Sequence, residues 1–252
     1  MLRYNHGMVE KKWQERWALE SSSARPHACA VLVPLADESL GLENARLMVL
    51  ADFFSRTMGA APTTISLLNC RESWLADAEE LGLKAREAQP QQAFTWAVVP
   101  RDYVQAHRGL LQAREFFLCG RLLDDGADSL PELIDDFGAD ALRVYFLYMG
   151  PWERDYRFRW QGLVSAYRFV ERCWRLAQHL GGSSAAECAA DLQSDVQNRL
   201  RQGKPHTALA AVMGYIKHKE KLTAGEARVL ATLLQPWTPH LSAELLELVA
   251  SV

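Results

Sequence analysis

The sequence contains no long apolar run. None of its hydrophobic stretches approaches the roughly 18 to 20 residues that cross a membrane, and residues 1–6 lack the apolar segment of a secretory signal. The 252 residues are 49% hydrophobic and 23% charged, a balance that is typical of globular proteins. We therefore expect a cytoplasmic protein with no membrane partner and with two modest domains.

Cysteine is scarce and shows no ligand spacing. The five cysteines are odd in number and never form a Cys-x-x-Cys motif, so they predict neither a disulfide framework nor a structural zinc site. The seven histidines are scattered, and His218 lies in a basic stretch, Lys217-His218-Lys219, that is typical of a solvated surface. We expect buried, reduced thiols and no metal site.

The common phosphate-binding loops are also absent. Neither Gly-x-x-x-x-Gly-Lys-Ser/Thr nor Gly-x-Gly-x-x-Gly occurs, and no Gly-x-Ser-x-Gly elbow is present. The acidic pairs Asp124-Asp125 and Asp135-Asp136 are typical of turns and helix starts. The residues alone therefore predict no cofactor and leave the catalytic residues unknown.

The sequence does show a repeated order of strand and helix. Apolar runs over 28–35, 64–68 and 94–99 are each followed by a helical pattern, over 43–58, 73–84 and 103–117. This order predicts a parallel sheet with right-handed crossovers. A helix over 8–19 comes first, and further helices are predicted over 130–137, 139–149, 160–180, 186–201, 207–219, 223–234 and 239–249. The predicted fold is a Rossmann-like α/β domain followed by an all-α bundle.

Charge is distributed unevenly along the chain. Residues 1–138 contain 14 Lys and Arg against 20 Asp and Glu, whereas residues 139–252 contain 14 against 11. Positive charge concentrates in Arg154, Arg157, Arg159, Arg168, Arg172 and Arg175, with Lys204, Lys217, Lys219 and Lys221 as a second group. Arg168, Arg172 and Arg175 follow i, i+4, i+7 spacing, which predicts one helix face that can meet successive RNA phosphates. The alternative is an ordinary solvated face of a helical bundle.

The most distinctive segment of the chain is residues 137–151, Phe-Gly-Ala-Asp-Ala-Leu-Arg-Val-Tyr-Phe-Leu-Tyr-Met-Gly-Pro. It resembles the stretch after the Lys-Met-Ser-Lys-Ser loop of class I aminoacyl-tRNA synthetases, in particular leucyl-tRNA synthetase. Residues 167–176 and 234–245 are similar to the first and last helices of its anticodon-binding bundle, and residues 4–14 to its N-terminal helix. The resemblance implies a catalytic-domain remnant over 1–138 and an anticodon-binding-like bundle over 139–252. It also implies tRNA, an amino acid, and ATP or an aminoacyl-adenylate as ligands of such a fold.

The chain departs from this family at both signature motifs. Arg46 and Asp52 match the helix after the first strand, and this register places residues 41–44, Gly-Leu-Glu-Asn, on the His-x-Gly-His signature. The Lys-Met-Ser-Lys-Ser loop falls near residues 119–123, where Arg121 is the only cation. The signature histidines donate hydrogen bonds to phosphate as charge builds, and each such donor contributes roughly 10² to 10³ in rate. The family's editing domain has no room between the two halves of the nucleotide fold. The resemblance therefore implies a truncated paralogue without editing.

A ligand cleft is expected where the parallel strands end. It comprises Pro34, Leu35, Glu38, Gly41, Glu43, Asn44 and Arg121. A buried carboxylate at Glu38 or Glu43 requires a cationic partner, which favours an amino group over a phosphate as ligand.

Three functions remain open at this point. The first is a synthetase-like protein that has lost ordinary ATP-dependent leucylation and acts as an accessory or binding protein, or in a specialised aminoacyl-dependent pathway. The second is a minimal amino-acid-activating or aminoacyl-transferring enzyme of the aminoacyl-tRNA ligase type, with a rebuilt site. The third is an RNA-binding module. Whether the protein is an enzyme is not decided by its fold.

Overall fold

A computed structural model describes residues 4–19, 28–33, 40–58, 64–89, 92–103, 111–123, 126–178, 180 and 186–251. The chain forms two compact units, and each is discontinuous in sequence. The sheet unit comprises residues 16–136 and 151–160, and the helical unit comprises residues 1–15, 137–150 and 161–252. The sequence placed a single boundary after residue 138. In the structure the N-terminal residues are part of the helical unit, and residues 151–160 are part of the sheet unit.

The sheet unit contains a five-stranded parallel sheet in the order β3-β2-β1-β4-β5. Its strands are β1 (Ala28–Val31), β2 (Ile65–Leu68), β3 (Ala85–Glu87), β4 (Ala93–Pro100) and β5 (Gln112–Cys119). Helix α2 (Leu42–Met58) connects β1 to β2, and α3 (Ser73–Glu80) connects β2 to β3. The order reverses between β1 and β4, as in Rossmann-like folds, in which ligands bind at the carboxyl ends of the two strands beside the reversal.

Helix α2 packs its whole length into the sheet unit. Its residues from Asn44 to Ser55 are all buried. Phe54 stacks on Phe117 of β5 with ring centroids 4.0 Å apart, and Trp152 packs edge-on against both rings. Apolar burial on this scale fixes where the first turn of α2 lies relative to the strand ends.

A second, two-stranded parallel sheet was not predicted. It pairs β6 (Leu122–Leu123) with β7 (Tyr156–Arg157), and α4 (Leu130–Phe137) completes the sheet unit. Residues 151–158 therefore pack on the segment that follows β5, with Tyr156 N donating to Arg121 O at 2.8 Å.

The helical unit is built from α1 (His6–Ala18), α5 (Ala139–Tyr148), α6 (Trp160–Ala177), α7 (Ala186–Arg201), α8 (Pro205–Ile216), α9 (Ala224–Leu234) and α10 (Pro239–Ala250). Each helix predicted for this unit starts and ends within three residues of the observed one. Helices α8 and α10 both begin with proline, whose fixed φ suits the first helical turn. Among the described helices, none is long and apolar enough to cross a membrane.

Two predicted elements are wrong. The helix predicted over 73–84 ends at Glu80, because Gly82 adopts φ +71° and the chain then enters β3, which was not predicted. The helix predicted over 103–117 is instead strand β5 from Gln112 onward, in register with β4 through Ala97 opposite Phe116. Residues 104–110 lie outside the described part of the chain.

Candidate functional site

The centre of the candidate site is an ion pair at the carboxyl ends of the strands. Glu43 lies in the first turn of α2, directly after the loop from β1, and Arg121 follows β5. Arg121 Nε and Nη2 donate to Glu43 Oε1 and Oε2 at 2.5 and 3.0 Å, which is the two-pronged geometry of a strong guanidinium–carboxylate pair. The Glu43 side chain is 12% exposed and that of Arg121 39%. These hydrogen bonds raise the pKa of Arg121.

Further charged groups surround this pair. Asp102, just after β4, lies 3.8 Å from Arg121 Nη1, and Asp155 Oδ1 accepts the backbone N–H of Arg121 at 2.8 Å. Asp155 is bound in turn by Arg101 through both carboxylate oxygens. The hydrogen bond from Arg121 N, with the nearby arginines, holds the pKa of Asp155 below its usual value. We call Glu43, Arg121, Asp102, Asp155 and Arg101 the strand-end network.

Arg46 and Gly120 position this network. Arg46 is 1% exposed and donates to the carbonyl oxygens of Gly120 and Trp152 at 2.9 and 3.2 Å, so it ties the two segments that carry Arg121 and Asp155 together. A Cβ on Gly120 would lie 2.3 Å from the carbonyl group of Arg154. Only glycine permits this approach of the two backbones.

The remaining predicted cleft residues divide into two groups. Asn44 is fully buried, and its amide binds both backbone groups of Val33: Oδ1 accepts from Val33 N at 2.7 Å and Nδ2 donates to Val33 O at 2.9 Å. Asn44 therefore fixes the end of β1, and its amide is used within the protein. Gly41 lies half-buried just before α2. Pro34, Leu35 and Glu38 lie outside the described residues.

The described cysteines are not poised as nucleophiles. Cys29, Cys119 and Cys173 are buried, and burial raises the pKa of each thiol to about 12. Burial raises the pKa of the Cys70 thiol to about 11. Thiols with such pKa values remain protonated near neutral pH, and the thiolate is the reactive form. All four are free; Cys29, Cys119 and Cys173 are buried as expected, whereas Cys70 is half-buried.

The six predicted RNA-binding arginines do not share one compact unit. Arg154, Arg157 and Arg159 belong to the sheet unit, and Arg157 lies in β7. Arg168, Arg172 and Arg175 lie on α6 in the helical unit. Arg168 and Arg175 are exposed, but Arg172 donates four hydrogen bonds of 2.8 to 3.2 Å to the carbonyl oxygens of residues 216, 217 and 219. Arg172 thus closes the end of α8 and is not a free cation of the predicted stripe.

Within the described residues, one group of three side chains has the spacing of metal ligands. Glu10, Asp140 and His240 are all buried in the helical unit, with one ligand atom of each within 4.8 Å of the others. Each carboxylate already binds a helix start. Glu10 Oε1 accepts from Asp140 N at 3.3 Å, and Asp140 accepts from His240 Nδ1 at 3.0 Å and from Leu241 N at 2.6 Å. Protein N–H groups satisfy these oxygens, so the cluster is a pair of helix caps.

The geometry defines a Rossmann-like sheet unit with its candidate site at the strand order reversal. No family model matches the chain. The chain is similar to leucine–tRNA ligases: it is 30% identical over 150 residues to that of Mycobacterium marinum and 34% identical over 149 residues to that of Nitratidesulfovibrio vulgaris strain DP4. These matches cover 52% and 45% of the chain, but only 15% and 18% of the ligases. The similarity to leucine–tRNA ligases therefore extends over about half of this chain and less than a fifth of the ligases.

Solved structures of class I synthetases are also similar. One is the ternary complex of Agrobacterium radiobacter K84 LeuRS with tRNA and LeuAMS, at 19% identity and a TM-score of 0.47, covering 61% of this chain and 27% of that one. Another is Mycobacterium tuberculosis methionyl-tRNA synthetase bound by methionyl-adenylate, at 17% identity and a TM-score of 0.48, covering 61% and 44%.

Sequence reasoning missed part of this site. It named Glu43 and Arg121 but not their partners Asp102 and Asp155, because neither lies in a motif. The signal for Asp102 was its place directly after a predicted strand end, where the candidate site was already expected.

Proposed function

We propose that the chain is a leucyl-tRNA synthetase-like protein that does not carry out ordinary ATP-dependent leucylation. In this proposal it acts as an accessory or binding protein, or in a specialised aminoacyl-dependent pathway. The sheet unit is assigned as a remnant of the catalytic domain and the helical unit as an anticodon-binding-like bundle. The observation that carries the proposal is the ion pair between Glu43 and Arg121.

The two residues of this pair fall, by resemblance, on the two signature motifs that handle ATP phosphates. A carboxylate at position 43 repels a triphosphate, and it also neutralises Arg121, the one cation left in the second motif. The resemblance further implies the loss of two histidines and two lysines. If each lost contact costs roughly 2.7 to 4 kcal/mol of transition-state stabilisation, the deficit amounts to many decades in rate, even with incomplete additivity.

The test is amino-acid-dependent exchange of pyrophosphate into ATP, measured for all twenty amino acids, together with leucylation of leucine tRNA. We expect no exchange above background and no leucylation near the rate of an active leucyl enzyme assayed in parallel. Exchange with any amino acid would contradict the proposal and would support the alternative, a minimal amino-acid-activating enzyme with a rebuilt site.

ATP binding by variants tests the ion pair directly. Glu43→Gly releases Arg121 from its ion pair. The affinity of this variant for ATP should therefore be at least about tenfold higher than that of the wild-type protein. Arg101→Ala is the matched control, because it removes a cation of the strand-end network but leaves the Glu43–Arg121 pair intact. Equal ATP affinity in all three proteins would show that the pair does not control phosphate access.

We also propose tRNA as a partner of the helical unit, through the exposed arginines of α6. Arg168→Glu should weaken tRNA binding at low salt, since it replaces an exposed cation with an anion. The control is Arg201→Glu, an exposed charge reversal on α7. Filter binding that falls equally for the two variants, or an absence of tRNA binding even at low salt, would refute this partner.

A further inference from the structure

An open cavity lies in the helical unit beside the turn that connects α8 to α9. Its volume is about 410 Å³, within the range of small-ligand sites. Residues of α6 form one wall and the turn over residues 217–220 forms the other. The lining comprises Arg172, Arg175, Leu176, Lys217, His218, Lys219 and Glu220. We refer to it as the α6–turn cavity.

Two of its four cations are engaged within the protein and shape the wall. Arg172 binds the carbonyl oxygens of Ile216, Lys217 and Lys219, which fixes the backbone of the turn. Lys219 Nζ donates to Glu226 Oε1 at 2.7 Å and lies 4.5 Å from the centre of the Tyr215 ring. The turn that carries Lys217 and His218 is therefore held in place by its neighbours.

The other two cations are available to a ligand. Arg175 and Lys217 are exposed, and within the described residues neither side chain makes a hydrogen bond or an ion pair. His218 is exposed next to Lys217 and adds a ring nitrogen. Glu220 is the one carboxylate of the lining. Glu226, which is not part of the lining, is paired with Lys219. The cavity thus has an excess of positive charge and several N–H donors on a fixed wall.

We propose that the α6–turn cavity binds a phosphate group, with Arg175 and Lys217 as direct contacts and Arg172 as the residue that positions the turn. A phosphate offers more acceptor oxygens and more negative charge than a carboxylate, and it matches a guanidinium fork beside an ammonium group. The proposal is independent of the strand-end network, which belongs to the sheet unit. The phosphate can come from a free phosphorylated molecule or from an RNA backbone, and the second source rests on the tRNA partner proposed above.

Two probes distinguish these sources. Binding of inorganic pyrophosphate is measured by titration calorimetry, and binding of a tRNA transcript is measured by fluorescence anisotropy. Both are tested on the full chain and on the Arg175→Ala, Lys217→Ala double variant. The matched control is Arg201→Ala with Arg228→Ala, which also removes two exposed cations from the helical unit. Circular dichroism checks that both double variants remain folded.

For at least one probe, we expect the Kd of the cavity variant to rise at least about tenfold, while the control stays within about twofold of the wild-type protein. Loss of pyrophosphate binding alone identifies a free phosphorylated ligand. An RNA phosphate is identified if the cavity variant loses tRNA binding and pyrophosphate competes with tRNA. The slope of log K against log salt concentration should then be smaller in the variant by about 1 to 2. If neither probe binds the wild-type protein at millimolar concentration, or the two variants weaken binding equally, the proposal is overturned.

Discussion

Glu10 shows how one buried carboxyl group makes stability depend on pH. It is 5% exposed, and its carboxyl group lies beside Asp140, His240 and the N-terminal N–H groups of α5. Burial raises the pKa of Glu10 from 4.5 to about 7, although His240 acts in the opposite direction. The native state therefore holds this proton more tightly than the unfolded chain does. The stabilisation is complete below about pH 4.5 and is lost as the pH rises through 7.

Glu10→Gln should remove that pH dependence. The amide keeps an oxygen for the N–H groups of α5 but cannot ionise. Between pH 5 and pH 8, the free energy of unfolding of the wild-type protein should fall by about 2.5 kcal/mol relative to that of the variant. Urea unfolding at both pH values measures the difference. Glu15→Gln, an exposed change on the same helix, is the control, and parallel pH profiles for Glu10→Gln and the wild-type protein would contradict the assignment.

At the same scale, the candidate site was partly predictable. The expectation that a buried Glu43 needs a cation was physical, since a carboxylate in a low-dielectric environment requires compensation. The sequence could not show that Arg121 supplies it, because the two residues lie 78 positions apart and meet only through the parallel sheet. Asn44 illustrates the opposite error. An amide that looked available to a ligand is consumed by the backbone of Val33.

At the level of elements, Arg172 replaces the missing hydrogen bonds at the end of α8. The last carbonyl groups of a helix have no partners within it, and here a guanidinium group from α6 binds Ile216 O and the two carbonyl groups of the turn. No glycine follows Ile216 directly to close the helix by a left-handed turn. The side chain of one helix therefore terminates another.

Arg172→Met should lower the free energy of unfolding by about 2 kcal/mol, because half-buried carbonyl groups lose a charged donor while the apolar stem is kept. Arg168→Met, four residues earlier and exposed, should change it by less than about 0.5 kcal/mol. Thermal unfolding of the two variants measures the difference. Equal effects would mean that the carbonyl contacts contribute nothing beyond surface charge.

The helices were more predictable than the strands because a helical pattern is local in the sequence, whereas a strand depends on pairing with a distant segment. The helical patterns of 186–201 and 239–249 lie within single segments, so local periodicity was sufficient. Strand β5 contains Ala113, Arg114 and Glu115, which favour helices locally. Its pairing with β4 along the register from Ala93–Gln112 to Pro100–Cys119 overrides that preference. The three residues of β3 are too few to show any period.

For the whole molecule, the connection between β3 and β4 is the clearest difference from an enzyme with an inserted domain. Five residues join Glu87 to Ala93, so no folded domain lies between the two halves of the sheet. The chain spans 15–18% of the length of the leucine–tRNA ligases that it matches. The sequence was expected to form two domains with one boundary, and the structure divides into two discontinuous units. The linear sequence could not show that Lys12 of α1 contacts Glu244, 232 positions away.

That arrangement of α1 has a consequence for biosynthesis. Lys12 and Trp13 bind Glu244, and Lys12 also binds Glu247. All segments of the sheet unit have been made once residue 160 is added, whereas these contacts of Lys12 and Trp13 require residues more than 230 positions downstream. At about 5 to 20 residues per second, Lys12 and Trp13 are synthesised roughly 10 to 45 seconds before Glu244 and Glu247. During that time the Trp13 face of α1 is accessible to chaperones and proteases. Contact of Trp13 with Glu244 requires that α10 has been synthesised.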